Sequence, residues 1–184
     1  IGSTLNSDPP KHDETRAITF SLLTPKALQN VREGIEKEAR VIVDRIVEQG
    51  TFDAAQELAP YLPLTIVRDL VGLGEHGKDH MLGWGAATFE LMGDPGTRRD
   101  AALANMKGLR QFLEHPETLN GLSPDGWANR ATKRGIASGM EPKQAVELMR
   151  DYIAPSLDTT ISVIGYAMML FAQHPEQWQK LRAD

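Results

Sequence analysis

A proline, two acids and two hydroxyls lie close together in the last quarter of the sequence. Asp151 and Asp158 are seven residues apart, which places both carboxylates on one face of a helix. Pro155 lies between them and has no N–H for the carbonyl one turn back, so the helix is expected to open just before Asp158. Thr159 and Thr160 can return their hydroxyls to carbonyls one turn earlier. An opened turn with an acid and a hydroxyl can hold water or a small ligand.

The same pattern also has a purely structural interpretation. Proline kinks accompanied by a threonine or two are common in long helices, and an isolated aspartate is more often a solvated or capping residue than a catalyst. Periodicity alone leaves both interpretations open.

Two basic side chains near the start of the chain can bind an anion. His12 and Arg16 are four residues apart, one turn apart on one face of a predicted helix from Lys11 to Leu23. Two nitrogen donors in this arrangement suit an anionic group. The alternative is a pair of solvated surface residues, since Asp13 and Glu14 are their neighbours.

A pair of histidines, His76 and His80, has the i, i+4 spacing of metal ligands and lies beside Glu75 and Asp79. Glycines on either side of the first histidine place the pair at a junction between a loop and a helix. Polar residues commonly cap helices at such junctions, so no metal site is predicted here.

The composition limits the classes of function that the chain can have. Its 184 residues are 41% hydrophobic, with a net charge of −5 from interspersed acids and bases. This balance argues against nucleic acid as the main partner and offers no polybasic membrane patch. The longest apolar stretch, Ile161 to Ala172, is shorter than the roughly 20 residues that span a bilayer. The absence of cysteine excludes disulfides, thiolate metal sites and cysteine nucleophiles from the chain.

Apolar residues at three- and four-residue spacing predict that the chain is all-α. The run from Pro142 to Gln173 is predicted as one long central kinked helix of roughly 48 Å. The segment from Thr51 to Glu57 is a short connector with a possible strand. Six further helices are predicted, at 24–49, 63–73, 78–92, 97–113, 124–136 and 176–183.

The two ends of the chain predict a single domain that is cut on both sides. The first residue is Ile1 rather than methionine, and Asp184 falls in mid-pattern just after Trp178 and Leu181.

Together these stretches resemble a bacterial cytochrome P-450, a haem-thiolate monooxygenase. The resemblance rests on the order and the intervals of several motifs and covers nearly the whole chain. These motifs are Asp8-Pro9-Pro10-Lys11-His12 with Arg16, Leu23-Thr24-Pro25, Phe52-Asp53, the helix ending at Gly72, Leu157-Asp158-Thr159-Thr160, and His174-Pro175-Glu176-Gln177-Trp178.

The resemblance implies haem b as the cofactor and assigns roles to individual residues. His12 and Arg16 match the pair that holds a haem propionate. Asp158 and Thr159 match the acid–alcohol pair that handles protons during dioxygen activation. The segment from Ala154 to Leu157 would lie over the distal face of the haem.

Within that segment, Pro155 and Ser156 would contact the cofactor, while Ala154 and Leu157, together with Asp151, would face the substrate. The helices from Lys78 to Leu113 would form a mobile pair over the substrate entrance.

Two departures from the family pattern stand out. Pro155 and Ser156 replace the small residues, usually alanine or glycine then glycine, that precede the acid–alcohol pair. The family's Glu-x-x-Arg helix and its loop with the axial cysteine are expected downstream of Asp184, and no metal ligand is assigned within the chain.

The resemblance thus implies an enzyme that inserts one atom of O2 into a small organic substrate. Electrons would come from NAD(P)H through a redox partner such as ferredoxin and ferredoxin reductase. A monomeric, cytoplasmic protein without nucleic-acid or membrane partners is expected. The alternative is a non-catalytic all-α ligand-binding or regulatory module.

Overall fold

The computed structural model describes residues 4–29 and 31–183, which contain nine α-helices and no β-strand. The prediction of an all-α chain is therefore confirmed. The helices are α1 Lys11–Phe20, α2 Val31–Gln49, α3 Tyr61–Val71, α4 Glu75–Glu90, α5 Arg99–Glu114, α6 Trp127–Ala137, α7 Pro142–Glu147, α8 Arg150–Gln173 and α9 Pro175–Ala183.

The connector after α2 is helical, so the possible strand predicted there is wrong. Ala54–Leu58 form a single π-helical turn. The side chain of Asp53 caps this turn by accepting hydrogen bonds from the backbone N–H groups of Ala55 at 2.8 Å and Gln56 at 3.0 Å. An N-cap aspartate satisfies donors that have no partner within the helix, which favours a helical turn over an extended strand.

The second helix begins later than the sequence predicted. Thr24 accepts a hydrogen bond from the backbone N–H of Ala27 at 3.3 Å, but this contact belongs to a turn that precedes α2. The predicted apolar stripe of this helix includes Ile35, Ile42 and Ile46, of which Ile42 and Ile46 are buried, whereas Ile35 is 42% exposed. The predicted apolar stripe is thus only partly covered by the described residues.

The long helix is interrupted at Leu148 and Met149, between α7 and α8, rather than next to Asp158. Around this point the backbone forms hydrogen bonds to the third residue back, such as Asp151 N–H to the Leu148 carbonyl at 3.2 Å. Pro155 lies inside α8. The uninterrupted part therefore has 24 residues and a length of about 36 Å at 1.5 Å per residue.

The first half of α8 is the centre of the hydrophobic core. It packs against α3 and α4, and Tyr152, Ile153 and Leu157 are almost completely buried. The Tyr152 hydroxyl donates to the backbone carbonyl of Thr19 in α1 at 3.0 Å, and its ring lies 5.4 Å from that of Trp127 in α6. One tyrosine thereby connects three helices.

Two glycines allow α3 and α6 to approach closely. Gly72 ends α3 with a φ of 71°, a conformation that glycine adopts without strain. A Cβ on Gly126, just before α6, would lie 2.7 Å from the carbonyl oxygen of Val71 and 2.9 Å from the Cα of Gly72. Any side chain at Gly126 would therefore push the two helices apart.

The second half of α8 and the helix after it leave apolar side chains exposed. The exposed fractions are 66% for Val163 and 64% for Tyr166 in α8, and 56% for Leu181 in α9. By length and composition alone, Pro142–Gln173 is apolar enough to cross a membrane. Core helices of globular proteins meet the same criterion, and α8 carries Asp158 near its middle.

Candidate functional site

A cavity of about 310 Å³ lies between α1, the first turns of α8 and the 3₁₀ turn Thr4–Asn6. It brings together four of the residues singled out in the sequence: His12 and Arg16 from α1, and Asp151 and Pro155 from α8. The remaining lining residues are Thr4, Leu5, Ser7, Thr19, Leu23 and Tyr152. The described structure therefore places the predicted anion-binding pair next to the predicted acid-bearing turn.

Asp151 is held by the start of the chain. Both of its carboxylate oxygens accept hydrogen bonds from the backbone N–H of Thr4, each at 3.2 Å, and the Thr4 hydroxyl donates a further, short one. Burial raises the pKa of the Asp151 carboxyl, because a desolvated charge is unfavourable. The bonds from Thr4 and the charges of Arg150 and Arg16 act in the opposite direction on this pKa.

The two basic residues of the cavity differ in their surroundings. The Nδ1 atom of His12 lies 2.9 Å from Oδ1 of Asp13, so this imidazole already has a carboxylate partner at the surface. The Arg16 guanidinium carbon lies 4.8 Å from the centre of the Phe20 ring, which holds the side chain by a cation–π contact. Arg16 carries a fixed charge at any physiological pH, whereas the charge of histidine depends on protonation.

The acid–hydroxyl segment follows one turn further along α8. The Thr159 hydroxyl donates to the carbonyl of Pro155 at 2.7 Å, which confirms the predicted bond to the preceding turn. Asp158 and Ser156 are half-buried, while Thr159 itself is exposed. Since its hydrogen is used by this bond, the Thr159 oxygen keeps lone pairs that can accept from water or a ligand.

Ala154 and Leu157 lie on the packing face of α8. Ala154 is 5% exposed and Leu157 is completely buried. A Cβ on Gly85 of α4 would be 3.7 Å from the Cα of Ala154 and 3.8 Å from the Cβ of Leu157. Both residues therefore contact α4 rather than the cavity beside α1, and their assignment to the substrate stays a prediction.

The histidine pair His76 and His80 lies outside this cavity. The side chain of His76 lies outside the described residues, and the His80 ring meets the edge of Trp84 at 5.7 Å between centroids. Among the described residues, no group of three or more histidines and acids is arranged to hold a metal ion.

Thr4 belongs to the site, although nothing in the sequence pattern indicated it. Thr4 lies 147 positions before Asp151, and no local pattern links two residues so far apart. The available signal was indirect: a buried aspartate needs donors, so a partner for Asp151 had to come from another part of the chain.

Comparisons with known proteins agree with this arrangement of helices. No family model matches the chain. Cytochrome P-450 CYP199A2 of Rhodopseudomonas palustris is 28% identical over 181 residues, which cover 98% of the chain and 44% of that protein. Cytochrome P-450 119 of Sulfolobus acidocaldarius is 30% identical over 180 residues, which cover 98% of the chain and 46% of that protein. The chain belongs to the cytochrome P-450 family.

Solved structures of this family share the fold. P450BioI, solved in complex with an acyl carrier protein that carries hexadec-9Z-enoic acid, aligns with the whole chain at a TM-score of 0.83 and 16% identity. The chain covers 48% of that structure. It thus spans a little under half the length of the cytochromes P-450 that it matches.

The residues of the cavity fit one edge of a haem. Arg16 and His12 are donors suited to a propionate, and Leu5, Leu23 and Pro155 offer apolar surface beside them. Asp151 is the carboxylate in the same cavity, and its bonds to Thr4 already occupy both of its oxygens. Repulsion between Asp151 and a propionate is therefore weakened by Thr4 and by the nearby charge of Arg16.

Proposed function

We propose that the full-length protein is a haem-dependent monooxygenase that inserts one atom of O2 into a small organic substrate. The observation that carries this proposal is the shared cavity: His12 and Arg16 of α1 face the turn of α8 that precedes Asp158 and Thr159. Relatives that align with 98% of the chain are cytochromes P-450, and a relative from Rhodococcus jostii is a steroid C26-monooxygenase.

The chain's own contribution to cofactor binding would be electrostatic and steric. Arg16 and His12 would donate hydrogen bonds to a propionate of haem b, and charge-assisted bonds of this kind are stronger than neutral ones. Pro155 and Ser156 would border the cofactor from α8. When bound, the haem supplies dioxygen binding and redox chemistry.

Asp158 and Thr159 would supply protons during the reaction. The Thr159 hydroxyl is oriented by its bond to the Pro155 carbonyl, so its oxygen can accept a hydrogen bond from water. Asp158 precedes it in the sequence and is half-buried, and its carboxyl would be the acid of this acid–alcohol pair. The adjacent hydroxyl of Ser156 offers a second position for an ordered water.

The substrate would contact Asp151, Ala154 and Leu157. Burial of the last two makes this surface apolar and closely packed against α4. Access to them requires that α4 shift relative to α8, which suits the proposed mobility of α4 and α5. The small side chains along these helices favour such sliding.

We also propose the partners and the compartment of the full-length protein. Electrons would come from NAD(P)H through a ferredoxin and a ferredoxin reductase or similar carriers. We propose a cytoplasmic monomer that binds neither nucleic acid nor membrane, consistent with its net charge of −5.

The decisive experiment is the absorption spectrum of the full-length protein, reduced under carbon monoxide. A red-shifted Soret band would support thiolate-bound haem. Its absence in a folded protein that has been supplied with haem would overturn the proposal. The non-catalytic module is not favoured, because the relatives are cytochromes P-450 along nearly all of the chain.

A further inference from the structure

A second cavity, of about 550 Å³, lies on another side of α8, between α5, α7 and the end of α4. Its volume falls in the range of pockets that bind small organic ligands. One wall consists of apolar side chains that are flexible or branched: Leu91, Met92, Met106, Leu109 and Leu113. This wall would accommodate the hydrocarbon part of a ligand.

The lining also carries three cations and two carboxylates: Arg110, Lys143, Arg150, Glu114 and Glu147. The two carboxylates already have partners. Glu114 lies 3.5 Å from the Lys143 nitrogen, and Glu147 lies 3.2 Å from Nη1 of Arg150. The cavity therefore has more donors than acceptors.

Arg150 carries the clearest sign of a missing acceptor. Its side chain is 19% exposed, and its Nε is the one buried side-chain nitrogen or oxygen without a hydrogen-bond partner in the part of the chain that is described. Leaving a buried donor unpaired is costly, more so for a charged group. Glu147 contacts Nη1, so the guanidinium edge formed by Nε and Nη2 is the one suited to a second carboxylate.

We propose that this cavity binds an amphipathic carboxylate, with the carboxylate on the Nε edge of Arg150 and the hydrocarbon part against the leucines and methionines. Arg110 contributes a further positive charge, since it forms no ion pair with any described residue. The lining has three cations and two carboxylates, so a ligand with a single negative charge would make the cavity neutral. The site is distinct from the cavity beside α1 and does not depend on the monooxygenase proposal.

The test is isothermal titration calorimetry on the full-length, haem-loaded protein with three probes of equal chain length: octanoate, octan-1-ol and octylammonium. We expect octanoate to bind about tenfold or more tightly than octan-1-ol, the scale of one charge-assisted hydrogen bond. Equal affinity for octanoate and octan-1-ol, or tighter binding of octylammonium, would overturn the proposal.

Three variants assign the preference to Arg150. Arg150→Lys keeps the charge beside Glu147 but removes the planar edge, so the preference for octanoate should fall several-fold. Glu147→Gln should increase octanoate affinity, because a competing carboxylate leaves the guanidinium. Arg99→Gln, which removes an exposed cation outside the cavity, should change neither. An unchanged preference in both Arg150→Lys and Glu147→Gln would exclude Arg150 as the anchor.

Discussion

The carboxylate of Asp151 accepts hydrogen bonds from the backbone N–H of Thr4, 147 positions earlier in the chain, at 3.2 Å to each oxygen. This contact attaches the 3₁₀ turn at the start of the described chain to the first turn of α8. Because burial still raises the pKa of Asp151, the ionised carboxyl is less favoured in the folded state than in the unfolded one.

The pH dependence of stability follows from this raised pKa. The contribution of Asp151 to the free energy of unfolding is fully present below the usual carboxyl pKa. It is lost as the pH rises through the raised pKa of the folded state. Asp151→Asn keeps an acceptor for Thr4 but cannot ionise. We therefore expect the thermal midpoint of the variant, relative to the original protein, to increase with pH across this window. Asp125→Asn, at an exposed loop position, is the control, and a difference for Asp151→Asn that stays constant with pH would contradict the raised pKa.

Thr159→Ala is expected to uncouple the reaction in the full-length enzyme. The variant loses the hydroxyl that is oriented by Pro155, so reducing equivalents should be diverted to hydrogen peroxide or water while haem and substrate still bind. The measurement is the product formed for each NAD(P)H consumed, which should fall several-fold. Thr160→Ala removes an exposed neighbouring hydroxyl and should keep the original ratio. Unchanged coupling in Thr159→Ala would contradict this role for Thr159 and would make the Ser156 hydroxyl the next candidate.

Arg16→Ala should reduce haem retention more than His12→Ala. The guanidinium is always charged, whereas the charge of an imidazole depends on protonation and the His12 ring already contacts Asp13. Haem content per protein, measured by absorbance after purification, compares the two. Lys11→Ala, an exposed residue of α1 outside the cavity, is the control. Full occupancy in both variants would remove this pair from the propionate site.

Gly126→Ala should destabilise the fold by about 1–3 kcal/mol, the usual cost of forcing extra volume into a packed contact. The new Cβ would meet backbone atoms of Val71 and Gly72, which cannot rotate away as a side chain can. Gly93→Ala is the matched control, because a Cβ there has no atom within 4 Å and the backbone is not left-handed. Urea unfolding of both variants measures the difference, and equal midpoints would contradict the close approach of α3 and α6.

The 184-residue chain by itself is expected to lack monooxygenase activity. It contains no cysteine, and a thiolate ligand is needed for this family's oxygen chemistry. Supplied with haem and reduced under carbon monoxide, the chain should not develop the red-shifted Soret band. A clear band of that kind would show that the chain can form the active centre without a cysteine.

Local signals in the sequence predicted most helix ends but not the long-range contacts. Gly72 ends α3 in a left-handed conformation and Pro175 follows the end of α8, both as expected. The interruption at Leu148 had no proline or glycine to mark it. Ile35 lies on the predicted apolar stripe of α2 but is 42% exposed, because burial depends on which neighbours pack against a helix rather than on the residue itself.

In the candidate site too, local spacing predicted some contacts, whereas the long-range contacts had no signal in the sequence. Spacing along one helix was enough to pair His12 with Arg16 and to connect Thr159 with Pro155. The bond from Thr4 to Asp151 joins segments that are far apart in sequence, and the unpaired nitrogen of Arg150 is visible only once its surroundings are known.

Because α8 begins after the interruption, the consecutive residues Arg150 and Asp151 lie on its first turn, where each lines a different cavity. A rotation of this turn about the helix axis would move both side chains at once. Substitutions of the two residues are therefore expected to be non-additive, although they lie in separate cavities. Occupancy of one cavity would then change the affinity of the other, and a double-mutant cycle that monitors haem retention and octanoate binding together would measure this coupling.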